Sequence, residues 1–142
     1  MMMRDFLNGL VGTSAVFSRT VSETDVSGFA QITGDDHPNH TDESYARSVG
    51  LGGRVAQGAL LVGFIAGASS RYLEQVGRPA VSYGYDNVRF LNLVGIGDRL
   101  EIIYEITGVD HAKNNAAATV HITNERGELV AAGTNILHFT SS

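Results

Sequence analysis

Ten consecutive residues without a polar side chain, from position 59 to position 68, constrain the fold of this chain more than any other feature. The segment reads ALLVGFIAGA, and polar side chains resume only at Ser69, Ser70 and Arg71. A helix made of these residues has no face suited to water, so we expect it to be buried on every side. A long central helix wrapped by a curved antiparallel sheet is one arrangement that achieves this in a small chain.

We predict that this helix starts near Gln57 and ends near Gln75. Its apolar run is well short of the roughly 18 residues that a membrane span needs. Gly63 and Gly67 lie inside it, and each costs about 1 kcal/mol of helix stability relative to alanine. The explanation we favour is that the backbone of a sheet packs very close to the helix at these two glycines.

The pattern of apolar residues changes from a helical period to strict alternation after Gly77 and Pro79. The clearest alternating segment is 99–107, where Glu101 and Glu105 face outward and the inward residues are Leu100, Ile102, Tyr104 and Ile106. The predicted strands are 14–21, 81–91, 99–107, 116–123 and 129–139, and Gly127 suits a hairpin turn with a bulge before the last one. One strand, then helices, then four strands indicates an α+β fold. We predict a single domain over residues 1–142.

Start and stop signals for helices surround the polar region before the central helix. Ser22 predicts a helix N-cap with Asp25 as its capping-box partner, and Gly34 predicts the end of that helix. Val26, Phe29, Ala30 and Thr33 are its predicted buried stripe. Residues 35–42 are predicted to be irregular because a proline at position 38 keeps His37 out of the helical region. A short helix capped by Thr41 or Asp42 should follow and end near Val49.

The composition excludes several classes of function. The net charge of −5 and the pI near 5.4 leave no basic patch, so we expect no nucleic-acid partner. The chain has no cysteine, which rules out disulfides and thiol chemistry and fits a cytoplasmic location. The N-terminal sequence MMMRDFLNGLVG makes a poor signal peptide. We therefore expect a soluble, cytoplasmic protein without a membrane segment.

Ionisable side chains are concentrated between positions 35 and 42: Asp35, Asp36, His37, His40 and Asp42. An ordinary solvated loop is one interpretation. A second is an acid/base pair, in which a loop stiffened by proline holds one carboxylate and one imidazole on the same water molecule. A third is a metal site formed by Asp35, His37 and His40, although a further well-spaced histidine and an HExxH pattern are both missing.

The start of the central helix is the other candidate for chemistry. Amide groups in the first turn of a helix have no partner inside the helix, and the helix dipole adds partial positive charge there. Gly58 has no side chain, so the carbonyl oxygen of a substrate has free access to its N–H and an oxyanion site results. The alternative is that Gly58 only eases packing, and the residue alone does not decide between the two.

Two segments together resemble a known family. The first is FAQITGDDHPNHTD at positions 29–42, and the second is VAQGAL at positions 55–60. They are similar to the pattern F-x-x-x-[ST]-G-D-x-N-P-x-H-x-D, then [IV]-A-H-G-[ML], of MaoC-like (R)-specific enoyl-CoA hydratases. Downstream, the family's V-R-F-x-x-P-V-x-x-G-D-x-L stretch is matched by Val88-Arg89-Phe90, Val94 and Gly97-Asp98-Arg99-Leu100. These matches cover about half of the chain.

The resemblance implies a hot-dog fold, with the helix from Gln57 inside the sheet, and a homodimer whose sheet continues across the interface. It implies that Asp35 and His40 are the catalytic aspartate and histidine and that the Gly58 amide is the oxyanion donor. It also points to substrate contacts at the residues around these: His37, Gln57, Ala59 and Leu60. No metal and no cofactor are expected.

The implied reaction is the reversible hydration of a 2-enoyl-CoA to a 3-hydroxyacyl-CoA. Two alternatives stay open, namely dehydration of carrier-protein-bound 3-hydroxyacyl thioesters and a non-catalytic hot-dog subunit that binds acyl thioesters. The chain departs from the family pattern at His37, usually asparagine, at Gln57, usually histidine, and at Leu93, often proline. These departures affect the expected substrate more than the expected reaction class.

Overall fold

The computed structural model describes residues 1–140 and contains one sheet with a long helix against it. The secondary structure elements in chain order are α1 (Met3–Leu10), β1 (Ser14–Thr20), α2 (Glu23–Thr33), α3 (Pro38–Thr41), α4 (Glu43–Ser48), α5 (Gly58–Val76), β2 (Ala80–Phe90), β3 (Arg99–Asp110), β4 (Asn115–Asn124) and β5 (Leu129–Phe139). The α+β prediction is confirmed, and each strand predicted from the sequence is found within three residues of its expected ends.

The strands form one antiparallel sheet of five in the order β1-β3-β4-β5-β2. Its register places apolar residues opposite one another on neighbouring strands. For example, Ile102 on β3 lies opposite Phe17 on β1 and Ile122 on β4. β2 follows α5 in the chain but pairs only with β5 in the described residues, so β1 and β2 are the two edge strands. The long connection through α2 to α5 passes over one face of the sheet.

The core lies between α5 and that face. The inward residues of β3 are buried and its two glutamates are exposed, as the alternation predicts. From the helix, Leu61, Ile65, Ala68 and Tyr72 join the same apolar cluster as the strand residues. Each large apolar side chain removed from water stabilises the fold by about 1.5–3 kcal/mol, so this contact is the main source of stability.

The prediction that α5 is buried on every side is wrong. Ala59, Gly63, Ala66 and Ser70 are exposed, and their spacing of three to four residues places them on one face of the helix. The sheet and α2 cover only the other faces. An apolar run therefore indicates how little polar surface a helix has, but it does not indicate how much of that helix its own chain covers.

The explanation offered for the two glycines of α5 is also wrong. A Cβ added to Gly63 would meet no atom within 4 Å. A Cβ added to Gly67 would lie 3.0 Å from the aromatic ring of Phe17, which is a side chain on β1 and not its backbone. The sheet backbone does not approach the helix at either position.

The helix signals before α5 are largely confirmed. Ser22 and Asp25 form a complete capping box at the start of α2, and Gly34 ends the helix in the left-handed conformation with φ +82°. The buried stripe does not extend to Thr33, which is exposed and donates its hydroxyl hydrogen to the carbonyl of Phe29. Asp42 caps α4 by accepting from the N–H of Tyr45.

Residues 35–42 are more regular than predicted. His37 is extended as the following proline requires, with ψ 143°, but Pro38 itself opens the single helical turn α3. Proline suits the first position of a helix because its missing N–H has no partner there anyway. No helix was predicted at α1, which packs Leu7 and Leu10 into the core. None of the helices in residues 1–140 combines the length and hydrophobicity that a membrane crossing requires.

Candidate active site

His40 lies in the α3 turn and is almost buried, with 9% of its surface exposed. Its Nδ1 lies 2.7 Å from the main-chain carbonyl oxygen of Val55. Because a carbonyl oxygen only accepts, Nδ1 carries the hydrogen of this bond and, in the neutral ring, Nε2 carries none. The bond therefore fixes both the orientation of the imidazole and the position of its free nitrogen.

Asp35 stands two residues beyond the end of α2. The left-handed turn at Gly34 directs the chain so that Asp35 Oδ1 lies 3.7 Å from His40 Nε2. The aspartate side chain is 44% exposed, whereas the histidine side chain is 11% exposed. A distance of 3.7 Å is too long for a direct hydrogen bond, so the two groups can both reach a small molecule placed between them.

The first residue of α5, Gly58, shares a cavity of about 180 Å³ with the imidazole. The lining residues are Asn39, His40, Val55, Ala56, Gly58, Leu61, Phe90, Asn92, Leu93 and Val94. An added Cβ at position 58 would lie 2.6 Å from the ring of Phe90, so a larger residue there requires that ring to move. The start of α5 also supplies first-turn amides that have no partner within the helix.

Main-chain hydrogen bonds hold the connector before α5 between the histidine turn and the sheet end. The N–H of Val55 donates to the carbonyl of Asn39 at 3.0 Å, and the N–H of Ala56 donates to the carbonyl of Val94 at 2.7 Å. Val55 also forms an isolated antiparallel bridge with Gly95. These contacts bring together the loop that carries Asp35 and His40 and the helix that starts at Gly58.

Gln57 is the N-cap residue of α5 and its side chain is fully buried. Its Nε2 donates to the carbonyl of Val26 at 2.9 Å and, more weakly, to the carbonyl of Asp35 at 3.4 Å. Its Oε1 is buried without a partner among the described residues. The side chain therefore contacts the backbone around the site and does not line the cavity.

The other three residues expected to contact substrate also lie outside the cavity lining. His37 is exposed, caps α3 and packs edge-on against the ring of Tyr45. Ala59 is exposed, and Leu60 lines a separate surface hollow between α2, α5 and β1. Their contribution to substrate binding stays a prediction.

The metal interpretation needs the histidines and the aspartate to converge on one point. His37 instead turns its Nδ1 towards the backbone N–H of Asn39. Across residues 1–140 no group of three ligating side chains is close enough to hold a metal ion. Only Asp35 and His40 face each other, which favours the acid/base interpretation.

Several cavity residues were not predicted from the sequence as parts of the site. Phe90, Asn92 and Val94 come from the end of β2 and the loop that follows it. Phe90 and Val94 stand in the downstream stretch that resembles the family, so the motif carried a signal for them. No sequence signal indicated Asn92, because its place in the lining depends on how the loop folds back onto α5.

A family model for the MaoC like domain matches residues 9–128 of this sequence. The chain belongs to the MaoC-like domain family. Both motif segments and all of the cavity residues lie inside the matched range.

Two curated relatives have similar sequences. The chain is 33% identical over 98 residues to the (R)-specific enoyl-CoA hydratase of Rhodospirillum rubrum, covering 69% of this chain and 66% of that protein. It is 33% identical over 96 residues to the 3-hydroxybutyryl-CoA dehydratase of Methylorubrum extorquens, covering 68% of this chain and 59% of that protein. This MaoC-like chain thus spans somewhat less than two thirds of the length of these relatives.

The solved structure of the (R)-hydratase from A. caviae confirms the hot-dog fold expected for this family. It superposes with a TM-score of 0.83 at 25% identity, covering 92% of this chain and 96% of that one. The helix α5 and the sheet of the MaoC-like chain are thus the helix and the sheet of a hot-dog domain.

Proposed function

We propose that this MaoC-like protein catalyses the reversible, (R)-specific hydration of 2-enoyl-CoA to 3-hydroxyacyl-CoA, which makes it a hydro-lyase. The observation that carries the proposal is the pairing of Asp35 Oδ1 with His40 Nε2 at 3.7 Å, where His40 and Gly58, but not Asp35, line the same cavity. The names of the two curated relatives support the same reaction in its two directions.

In this proposal the substrate's thioester carbonyl oxygen accepts a hydrogen bond from the N–H of Gly58. Asp35 and His40 hold one water molecule between them. The water oxygen forms a bond to C3, one group of the pair takes the water's proton, and the pair supplies a proton to C2. Negative charge that develops on the thioester oxygen is stabilised by the helix N-terminus, where a preorganised donor is typically worth about 3 kcal/mol.

The pair of Asp35 and His40 gains and loses no net proton over one turnover. One proton leaves the water and one arrives at C2, so the enzyme returns to its starting state after each turnover. Nε2 of His40 is free to accept a proton because Nδ1 donates to Val55.

The direct experiment is a hydration assay on crotonyl-CoA and on enoyl-CoA thioesters of increasing length. Hydration removes the conjugated double bond, so the reaction is followed by the loss of its ultraviolet absorbance. The expected product is the (R)-3-hydroxyacyl-CoA, determined by chiral chromatography. Formation of the (S) product, or binding of the thioesters without turnover, would contradict the proposal.

The same assay distinguishes CoA thioesters from carrier-protein thioesters as the preferred substrate. A carrier-protein thioester presents the same reacting atoms, namely C2, C3 and the thioester carbonyl. We expect a higher kcat/KM for the CoA thioester than for the carrier-protein thioester of the same acyl group. The reverse order would assign the protein to dehydration of carrier-bound intermediates.

We also propose that the protein is a homodimer whose sheet continues through β2. This edge strand and the loop after it carry apolar side chains that are 51–72% exposed in the single chain: Val81, Tyr83, Phe90, Leu91 and Leu93. An exposed strand edge of this kind pairs readily with a second copy. Light scattering coupled to size exclusion should give twice the mass of one chain.

The cytoplasmic location expected from the sequence is checked by fractionating cells that express the protein.

A further inference from the structure

Arg54 lies in the connector immediately before Val55 and makes three polar contacts with different parts of the molecule. Its Nε donates to the main-chain carbonyl of His40 at 2.6 Å. One terminal nitrogen of its guanidinium pairs with Oε2 of Glu23 at 2.7 Å. Its backbone N–H donates to the carboxylate of Glu43 at 3.3 Å. The arginine side chain is 15% exposed and that of Glu23 is 60% exposed, so the contact with the His40 carbonyl is better shielded from water than the ion pair.

The hydrogen bonds of the histidine turn itself are local. Two join main-chain groups, from His40 N–H to the carbonyl of His37 and from Asp42 N–H to the carbonyl of Pro38, and the others involve the His37 ring and the Thr41 hydroxyl. One helical turn does not hold its shape in isolation, because nucleation fixes several dihedrals for a single hydrogen bond. The position of His40 must therefore come from contacts with other elements.

Two neighbouring connector residues supply those contacts. The carbonyl of Val55 accepts from Nδ1 and fixes the rotation of the imidazole. The guanidinium of Arg54 holds the carbonyl of the same histidine and fixes the main chain that carries the ring. The ring and the backbone of His40 are thus held separately, by residues adjacent in sequence.

The ion pair with Glu23 extends this support to the aspartate. Glu23 opens α2, and the same helix ends at Thr33, two residues before Asp35. Arg54 therefore connects the backbone of His40 to the helix that delivers Asp35. Arginine suits this role because its planar fork presents several donors in fixed directions, whereas lysine presents a single ammonium group.

We propose that Arg54 is a positioning residue for the hydration reaction. Its guanidinium sets the approach of His40 Nε2 to Asp35 Oδ1 by holding the histidine's main-chain carbonyl against α2. The inference rests on the proposed function, because it assigns Arg54 an effect on the acid/base pair. Arg54 touches no reacting atom in this assignment, and its effect passes through His40.

The test compares substitutions of two arginines that lie seven residues apart. Arg54→Met removes both guanidinium contacts, and Arg54→Lys keeps a charge for Glu23 but loses the planar fork. Arg47→Met is the matched control, since Arg47 pairs with Glu43 on the surface and contacts no part of His40. kcat and KM for crotonyl-CoA are measured well below the melting temperature of each variant.

We expect Arg54→Met to lower kcat by about 10²-fold, because a displacement near 1 Å of a reacting group costs that much. Arg54→Lys should lower kcat about 10-fold or more by the same argument. KM should change less than about threefold in both variants, because binding groups for the substrate are untouched. Arg47→Met should keep both constants within about twofold. A purely structural role would lower the melting temperature and leave kcat of the folded protein unchanged.

Three results separate the possible failures. Wild-type kcat in a folded Arg54→Met or Arg54→Lys protein overturns the positioning role. If Arg54→Met does not fold, the kcat of Arg54→Lys is used for this decision. Glu23→Gln keeps the Nε contact with His40 but removes the charge that holds the guanidinium on α2, so we expect a smaller loss of kcat than in Arg54→Met, and an unchanged kcat would overturn the link to α2. Asp35→Asn is measured alongside, and if that variant is fully active then the proposed function itself fails.

Discussion

Nε2 of His40 lies 3.7 Å from Oδ1 of Asp35, although the two residues are carried by different elements and held by different contacts. Asp35 follows the left-handed end of α2, while His40 belongs to the next helical turn and bonds to Val55 across the connector. The separation exceeds a direct hydrogen bond and suits two groups that share one water molecule. This arrangement is the basis for the first prediction.

Asp35→Asn and His40→Gln should each abolish most of the turnover of crotonyl-CoA while leaving the fold intact. A positioned acid or base contributes about 10² to 10⁴ in rate, and each substitution keeps the size of the side chain but removes its proton transfer. Initial rates are compared with wild type, and circular dichroism checks the fold. Asp36→Asn, next to the first site and exposed, is the control and should keep normal activity. Normal turnover in either pair variant would refute the assignment.

Gly58→Ala should lower kcat and destabilise the protein, whereas Gly63→Ala on the same helix should stabilise it. The new methyl group at position 58 would lie 2.6 Å from the Phe90 ring, inside the cavity that contains His40. At position 63 the methyl group meets no atom within 4 Å, so only the helix propensity changes, by about 0.5–1 kcal/mol.

Urea denaturation and crotonyl-CoA kinetics on the two alanine variants test this contrast. We expect Gly58→Ala to lose about 10²-fold in kcat, because its methyl group keeps the thioester oxygen away from the N–H that the variant still has, and to lose about 1–3 kcal/mol of stability. Gly63→Ala should keep wild-type kinetics. Equal stabilities and equal rates for the two variants would remove the case for a close approach of substrate to Gly58.

The Asp25 carboxylate should make the protein's stability depend on pH in the acid range. Burial raises its pKa, but hydrogen bonds from Arg19 and from the Ser22 backbone outweigh this and hold the pKa below its ordinary value. A carboxyl with a depressed folded pKa stabilises the fold above its unfolded pKa of about 3.9, and this contribution is lost as the pH falls through the folded pKa.

Asp25→Asn removes that titration. We expect the variant to be less stable than wild type at neutral pH by about 1 kcal/mol, the usual value of a helix cap interaction. The difference should begin to shrink below about pH 4, where the carboxyl of the unfolded chain gains its proton, and should be lost as the pH falls through the lower folded pKa. Urea denaturation at neutral pH and at about pH 3 measures both values, and a difference that does not change with pH would be inconsistent with this account.

The sequence predicted the parts of this structure that depend on local pattern. The alternation of β3, the capping box of Ser22 and the end of α2 at Gly34 are each determined by residues within a few positions of one another. The Asp35 and His40 motif is of the same kind, because Pro38 restrains the four residues that lie between the pair.

Features that depend on distant residues were not predicted. The contact of Arg54 with Glu23 joins positions 31 apart in the chain, and no local pattern indicates it. The exposed face of α5 was missed for a related reason, since the sequence shows that Ala59 and Ala66 are apolar but not which surfaces the sheet covers. The α3 turn was missed because Pro38 was treated only as a helix breaker, although it is favourable at a first helical position.

Gln57→Glu should destabilise the protein at neutral pH far more than at mildly acid pH. The amide Nε2 donates to two main-chain carbonyl oxygens, those of Val26 and Asp35, and an ionised carboxylate has no hydrogen to donate to either. Burial raises the pKa of a carboxyl, so the protonated form of the new glutamate, which retains one donor, persists in the folded protein above its ordinary range.

The sign of the effect follows from that raised pKa. A folded pKa above the unfolded value of about 4.3 gives a fold that is most stable below that pH and loses stability as pH rises through the folded pKa. We expect Gln57→Glu to lose about 1–3 kcal/mol at pH 5 relative to wild type and clearly more at pH 8. Gln57→Leu has a similar size and no ionisable group, so its loss should be the same at both pH values. Urea denaturation of the three proteins at both pH values decides the matter, and parallel behaviour of the Glu and Leu variants would mean that the side chain at position 57 is hydrated and not buried against these carbonyls.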